Sequence, residues 1–183
     1  MIMENINLNE LRDLAYKTAC EHGFHDEELS NEHCLCLVIS ELMKAVEADR
    51  KGKQPLMWLF ECGMSYPKNS LKHVYDCCIK GTVAEELADA CIRLLDLAGL
   101  RNIELENDCL DDEVLEEYSH IFIGKTFTES IFNITKNLID RDISYSLIKI
   151  FGLAKHLNID LLWHIEQKQR YNELRENKHG KRY

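Results

Sequence analysis

The sequence predicts an all-α protein: an antiparallel helical bundle with additional helices packed around it towards the C-terminus. Apolar side chains recur at helical spacing along most of the chain, and the connections between periodic stretches are mostly short. Only two prolines, Pro55 and Pro67, and eight glycines interrupt 183 residues, too few for a turn-rich sandwich of short strands. That length is within the range of one domain and is enough to bury a substantial apolar core, so residues 1–183 are read as a single unit.

The first helix is expected over 8–22, where Leu8, Leu11, Leu14, Ala15 and Ala19 form a stripe, Asn7 is placed to cap it and Gly23 to end it. Ser30 caps a second helix running to about Arg50, with Leu35, Val38, Ile39, Leu42, Ala45 and Val46 on one wide face and Gly52 beyond it. Residues 52–80 are less periodic and read as a loop with one or two short helices, carrying Trp58, Phe60 and Tyr66. Trp58 is expected as a core or lid anchor, with stacking on a base as the alternative. Thr82 followed by Glu85 is a capping box, and Val83, Leu87, Ala90, Cys91, Leu94 and Ala98 extend a third helix to near Gly99. After an acidic, aperiodic connection over 101–112, further helices are expected at 113–118, 124–140, 143–157 and 160–177, the last with Asp160 near its start.

The formal charge of −10 is unevenly distributed. Residues 168–183 carry six basic and two acidic side chains, while the rest carry 16 basic and 30 acidic. An acidic body disfavours nucleic-acid backbones, whereas a short basic segment suits a small phosphate ligand or simply a solvated terminus. No apolar run approaches the roughly 20 residues that span a bilayer, so no membrane partner is expected. The opening MIMENINLNELRD has neither a basic n-region nor a secretory h-region, which points to the cytoplasm. Eight cysteines without C-x-x-C pairs read as reduced thiols, with Cys34 and Cys91 on apolar stripes, and the histidines are too scattered for a zinc frame.

The candidate chemistry lies on helices two and three. Glu86 and Asp89 stand one turn apart on an edge shared with Arg93 and Asp96, a spacing that brings two carboxylates to one hard cation. Taken alone, E-x-x-D is more often a solvated edge with an Asp89–Arg93 pair. Glu41 alters the balance, because it lies between Leu37 and Ala48 at the border of an apolar face, an odd place for a merely solvated carboxylate. Antiparallel packing would bring it to Glu86 and Asp89, and three such groups repel unless a cation or proton intervenes. Glu85 is expected to point elsewhere and cap.

The runs LCLVISELMKAVEADRKGK (35–53), GTVAEELADACIRLLDLAG (81–99) and HIEQKQRYNELRENKHGKRY (164–183) resemble, in that order, MazG-like nucleotide pyrophosphohydrolases, relatives of the dimeric dUTPases and phosphoribosyl-ATP pyrophosphatase. The resemblance implies the all-α NTP pyrophosphatase bundle and Mg²⁺-dependent hydrolysis of a nucleoside or deoxynucleoside triphosphate to monophosphate and pyrophosphate, with water attacking the α-phosphorus. It implies Glu41, Glu86 and Asp89 as catalytic metal ligands, and Arg93 with Asp96 as a supporting salt bridge. Lys168, Asn172, Arg175 and Lys181 are implied as the nucleotide-binding set, with Tyr171 and His179 as lesser candidates, since a surface tyrosine and a tail histidine more often have no special role. A homodimer or homotetramer is implied too. The family pattern, E-E-x-x-E and then E-x-x-D, is departed from at Ser40 and Lys44, where glutamates are expected, and 41 residues separate Lys44 from Glu86. Lys44 can stand in for a metal, contact phosphate or mark lost catalysis. A non-catalytic nucleotide-binding protein and a helical protein-interaction module are the competing readings.

Overall fold

The computed structural model describes residues 7–140 and 142–180, and among them nine α-helices and no strand form. They are α1 (Leu8–Glu21), α2 (Asn31–Arg50), α3 (Met57–Ser65), α4 (Leu71–Cys78), α5 (Val83–Leu100), α6 (Asp112–His120), α7 (Phe127–Asp140), α8 (Ile143–His156) and α9 (Leu161–Glu173). The caps follow from side-chain chemistry: Asn7, Ser30, Thr82 and Asp160 each accept a backbone N–H of the first turn. Gly23 and Gly52, at φ of 74° and 63°, turn the chain where a side chain would be strained. No described helix is long and apolar enough to cross a membrane.

Helix α5 is the axis. Ala84, Leu87, Ala88, Ala90, Cys91, Leu94, Leu95 and Ala98 are all inaccessible to solvent, so the helix is apolar around most of its circumference and must be enclosed. Helices α1, α2, α8 and α9 enclose it, and α6 and α7 form an outer layer against α8 and α2. Helices α2 and α5 run antiparallel: the Lys53 carbonyl accepts from Val83 N at one end, and Arg101 donates to Asn31 Oδ1 at the other. Helices α3 and α4 build a smaller apolar cluster with Tyr171 of α9, using Phe60, Val74, Tyr75 and Ile79.

Three expectations are corrected. The last α-helix stops at Glu173 rather than 177, because residues 175–178 bend back over the end of α1, where His22 Nε2 lies 3.0 Å from the Arg175 carbonyl and Lys178 N donates to the His22 carbonyl. Trp58 is 74% exposed and anchors no core. Tyr171, read as a surface residue, is buried and stacked on Tyr75 with ring centroids 4.4 Å apart. Cys20, Cys34, Cys36, Cys62, Cys77, Cys78 and Cys91 are free thiols, with Cys34 and Cys91 buried.

Helix α1 lies close on α5 at Gly99, where an added Cβ would meet Tyr16 Cβ at 2.5 Å. Gly99→Ala gains about 1 kcal/mol of helix propensity but forces the two helices apart, a cost of about 1–3 kcal/mol. Chemical denaturation should therefore show a net loss of stability; a gain would mean that α1 is not seated on α5 as described.

Candidate functional site

The antiparallel α2–α5 pair carries the site. Glu41 is flanked on its helix by Val38, Leu42 and Ala45, all fully buried, and is itself 1% exposed. One oxygen accepts from Arg93 Nε at 2.7 Å and the other from the Lys44 ammonium. Across the interface α5 presents Glu86 and Asp89, and one carboxylate oxygen from each of Glu41, Glu86 and Asp89 lies within 4.8 Å of the others. Oxygens bound to one Mg²⁺ at about 2.0–2.1 Å are about 2.9 Å apart when adjacent and about 4.2 Å when opposite, so the three side chains would have to draw together to share the ion. The donor set, hard oxygens only, suits it.

A second layer of charge completes the cluster. The capping box forms only in half: Glu85 N donates to Thr82 Oγ1, but the Glu85 carboxylate accepts from Gly81 N, one residue before the cap, and its other oxygen takes the Lys168 ammonium, which also lies 2.7 Å from Asp89 Oδ2. Three of the four carboxyl groups, Glu41, Glu85 and Asp89, therefore share three cations, Lys44, Arg93 and Lys168, and Glu86 lies beside them. At an effective dielectric of 20, unit charges 4 Å apart interact by about 4 kcal/mol, so these acids do not all ionise together without such partners.

The ionisation pattern follows from who is paired. Glu86 forms no ion pair among the described residues; burial first, then the charges of Glu85 and Asp89, push its carboxyl up to about 8. Burial also raises Glu85, against the pull of Lys168. For Asp89 burial acts upwards, but Lys168 outweighs it and the carboxyl titrates below its ordinary value. Burial alone would lower Lys168; Asp89 and Glu85 reverse that and hold it above the usual lysine range.

Asp89 and Arg93 also border a cavity of about 620 Å³ between α1, α2, α5 and α9. Arg175, Lys178 and Asn172 stand on its wall, as do His25 and Asp96. Four site assignments made from sequence change. Lys168 is not presented to a phosphate: it is 3% exposed and bound within the acidic cluster, because α9 packs directly on α5. Arg93 pairs with Glu41 rather than with Asp96, whose partner is His25 Nε2 at 2.7 Å. Glu85 belongs to the cluster as well as to the cap. Arg175 lies beyond the end of α9 rather than on its face, with its guanidinium over the Tyr171 ring. Lys181 lies outside the described residues, as does the side chain of His179.

Two residues at the site carry no sequence signal. His25 sits in the aperiodic HGFHDEE run, and Tyr75 comes from α4 to place a buried hydroxyl near Glu85, Asp89 and Glu86, whose charges add to burial in raising its pKa. No family model, no curated protein and no solved structure matches the chain.

Removing Lys168 strands two buried carboxylates. Lys168→Met should cost about 3–5 kcal/mol in chemical denaturation at neutral pH, the range for breaking a buried pair from one side; a loss below about 1 kcal/mol, normal for exposed sites, would contradict this burial. Glu86 sets a pH dependence. Its proton is held to about pH 8 in the fold, against an ordinary value of 4.5, so the stability that it contributes is complete below about 4.5 and is lost as pH rises through about 8. Without divalent cations, the stability advantage of Glu86→Gln over the natural protein should therefore grow between about pH 5 and pH 9, by a few kcal/mol at most; a constant difference would show that Glu86 is not so perturbed.

Proposed function

We propose that this protein is a Mg²⁺-dependent nucleoside triphosphate pyrophosphohydrolase of the MazG-like kind, its bundle being of the all-α NTP pyrophosphatase type. The observation that carries the reading is the meeting of Glu41, Glu86 and Asp89 beside a cavity whose wall also holds Arg93, Asn172, Arg175 and Lys178. A carboxylate cluster bordering, through Asp89, a cavity with basic groups in its wall suits a metal-chelated polyphosphate, and about 620 Å³ falls within the roughly 300–1,000 Å³ of small-molecule sites.

In this reading Glu41, Glu86 and Asp89 hold the metal. When bound, Mg²⁺ supplies charge neutralisation of the phosphates and a more acidic water. Arg93 fixes the Glu41 carboxylate, and Lys168 fixes Asp89, so both lysine and arginine act as positioning residues. Arg175 and Lys178 bind phosphate oxygens from the tail, as a fork and a point charge respectively. Glu86, whose carboxyl is pushed up to about 8, would give up its proton on taking the metal. Assembly as a dimer or tetramer fits the exposed Leu56, Trp58 and Leu59 at the start of α3.

A second reading, a nucleotide-binding protein without turnover, is favoured by one observation: Lys44 and Lys168 already neutralise Glu41 and Asp89. Magnesium titration beside pyrophosphate release, over a panel of nucleoside triphosphates, separates the two. Hydrolysis by the natural protein is expected. Lys44→Glu, which frees one Glu41 oxygen and adds an anion, should tighten Mg²⁺ binding by roughly tenfold or more. Release of pyrophosphate only in the Lys44→Glu protein would favour the second reading. Neither binding of Mg²⁺ nor hydrolysis in either form would end the metal-site reading.

A further inference from the structure

Two of the basic residues that border the cavity do not stand on a helix. Arg175 and Lys178 follow the end of α9 at Glu173, and residues beyond a helix end are aimed precisely only where something fixes their backbone. His22, the residue that ends α1, fixes it twice. Its ring Nε2 lies 3.0 Å from the Arg175 carbonyl oxygen, and its own carbonyl accepts from Lys178 N at 2.8 Å. The two contacts bracket residues 175–178, and with them both basic side chains. Ring Nδ1 lies 2.8 Å from the Thr18 carbonyl oxygen, one turn back along α1. His22 is buried and is not among the residues that line the cavity, so its influence on a ligand there passes through the segment that it holds.

Lys178 shows how firmly the segment is held. Its φ is 46°, a left-handed backbone that lysine rarely adopts; such conformations persist where their surroundings impose them, and they gather at ligand sites. Its ammonium makes no ion pair among the described residues, although the residue is half-buried and borders the cavity. A cation kept in a strained backbone with no acid to meet it suits an anionic ligand better than it suits the fold. The turn after His22 runs against the same segment: a Cβ added to Gly23 would lie 2.7 Å from Asn177 Nδ2.

We propose that His22 is a positioning residue for polyphosphate binding: through the backbone of residues 175–178 it aims Arg175 and Lys178 at the phosphates, without touching the ligand itself. This rests on the nucleotide reading given above and adds the residue that sets its grip. A carbonyl oxygen only accepts, so the ring ties the segment by a hydrogen bond when Nε2 carries the proton; Nδ1 faces α1 and takes no part in the tie. The coupling runs in both directions. If closing the tie strengthens ligand binding by some factor, bound ligand must strengthen the tie by the same factor.

Two substitutions separate the ring's two contacts. Glutamine places an amide N–H near the position of Nε2 and asparagine near that of Nδ1, so His22→Gln keeps the tie to Arg175 and His22→Asn keeps only the contact with Thr18. The full chain is titrated by calorimetry with Mg²⁺ and the non-hydrolysable α,β-imido analogues of ATP, CTP, GTP and UTP, and the tightest of these is carried to the variants. His22→Asn should weaken it by about tenfold or more, the scale of one charge-assisted hydrogen bond, whereas His22→Gln should stay within about threefold of the natural protein. Mg²⁺ affinity without nucleotide should be the same in all three, because the acidic cluster lies outside the segment. In the natural protein, deuterium exchange at the Lys178 backbone N–H should slow by about tenfold when the analogue is bound, a readout that stands even if a variant fails to fold. Equal binding by the two variants, the reverse order, or Lys178 exchange unmoved by bound analogue overturns the role of His22 while leaving triphosphate binding intact. Failure of all four analogues to bind the natural protein sinks the nucleotide reading and this inference together.

Discussion

The structure is organised by the need to neutralise acid on a buried helix. Helix α5 is enclosed on nearly every side, yet its first two turns carry Glu85, Glu86 and Asp89, and the neighbouring helix adds Glu41 against them. Isolated ionised carboxylates are not stable in such surroundings. Each has found its own remedy: Glu41 takes Lys44 and Arg93, Glu85 and Asp89 share Lys168, and Glu86 keeps its proton. The arrangement of α2, α5 and α9 is therefore coupled to charge as well as to apolar packing. Helix α9 is tied to α5 by the lysine, and α4 closes the cluster from the side with the Tyr75 ring beneath that same ammonium.

Features that depend on near neighbours in the chain were legible before the fold was known. The caps at Asn7, Ser30, Thr82 and Asp160, the periodic faces of α1, α2 and α5, and the buried Cys34 and Cys91 all follow from spacing. The meeting of Glu41 with Glu86 and Asp89 was legible too, because a carboxylate at the border of an apolar face needs an explanation. Side-chain partners distant in sequence were not. Lys168 and Glu85 are 83 residues apart, and nothing in a lysine on a polar-looking helix reveals that it turns inward. Glu85 was hidden by the capping pattern, since its spacing from Thr82 accounts for the residue without revealing that its carboxylate turns to Gly81 and Lys168. Tyr171 looked like a surface residue because its helix is rich in charge; it is buried because α3 and α4, the least periodic part of the chain, fold over it.

The C-terminal segment has a role that composition did not suggest. Its basic residues divide: Lys168 is structural, whereas Arg175 and Lys178 reach the cavity because the chain leaves α9 after Glu173 and is strapped to His22 by its backbone. The strap also crosses the Gly23 turn, so the segment that brings basic groups to the cavity also steadies the loop that lines it. Net positive charge was a poor guide because it counts side chains without regard to the elements that aim them.

A site already neutralised by its own lysines and arginine is stable when empty, and this limits how strongly it can bind a divalent ion. An open acidic cluster gains the whole repulsion energy back when the ion arrives; here most of that repulsion is relieved in advance, so the ion must compete with Lys44 for a Glu41 oxygen and displace the Glu86 proton. The two competitors differ in kind. Lys168 is enclosed and cannot withdraw without stranding Glu85 and Asp89, whereas the Lys44 side chain is 46% exposed and can swing into solvent at little cost. The replaceable cation therefore sits where a metal would bind, and the fixed one holds the carboxylate that would bind it.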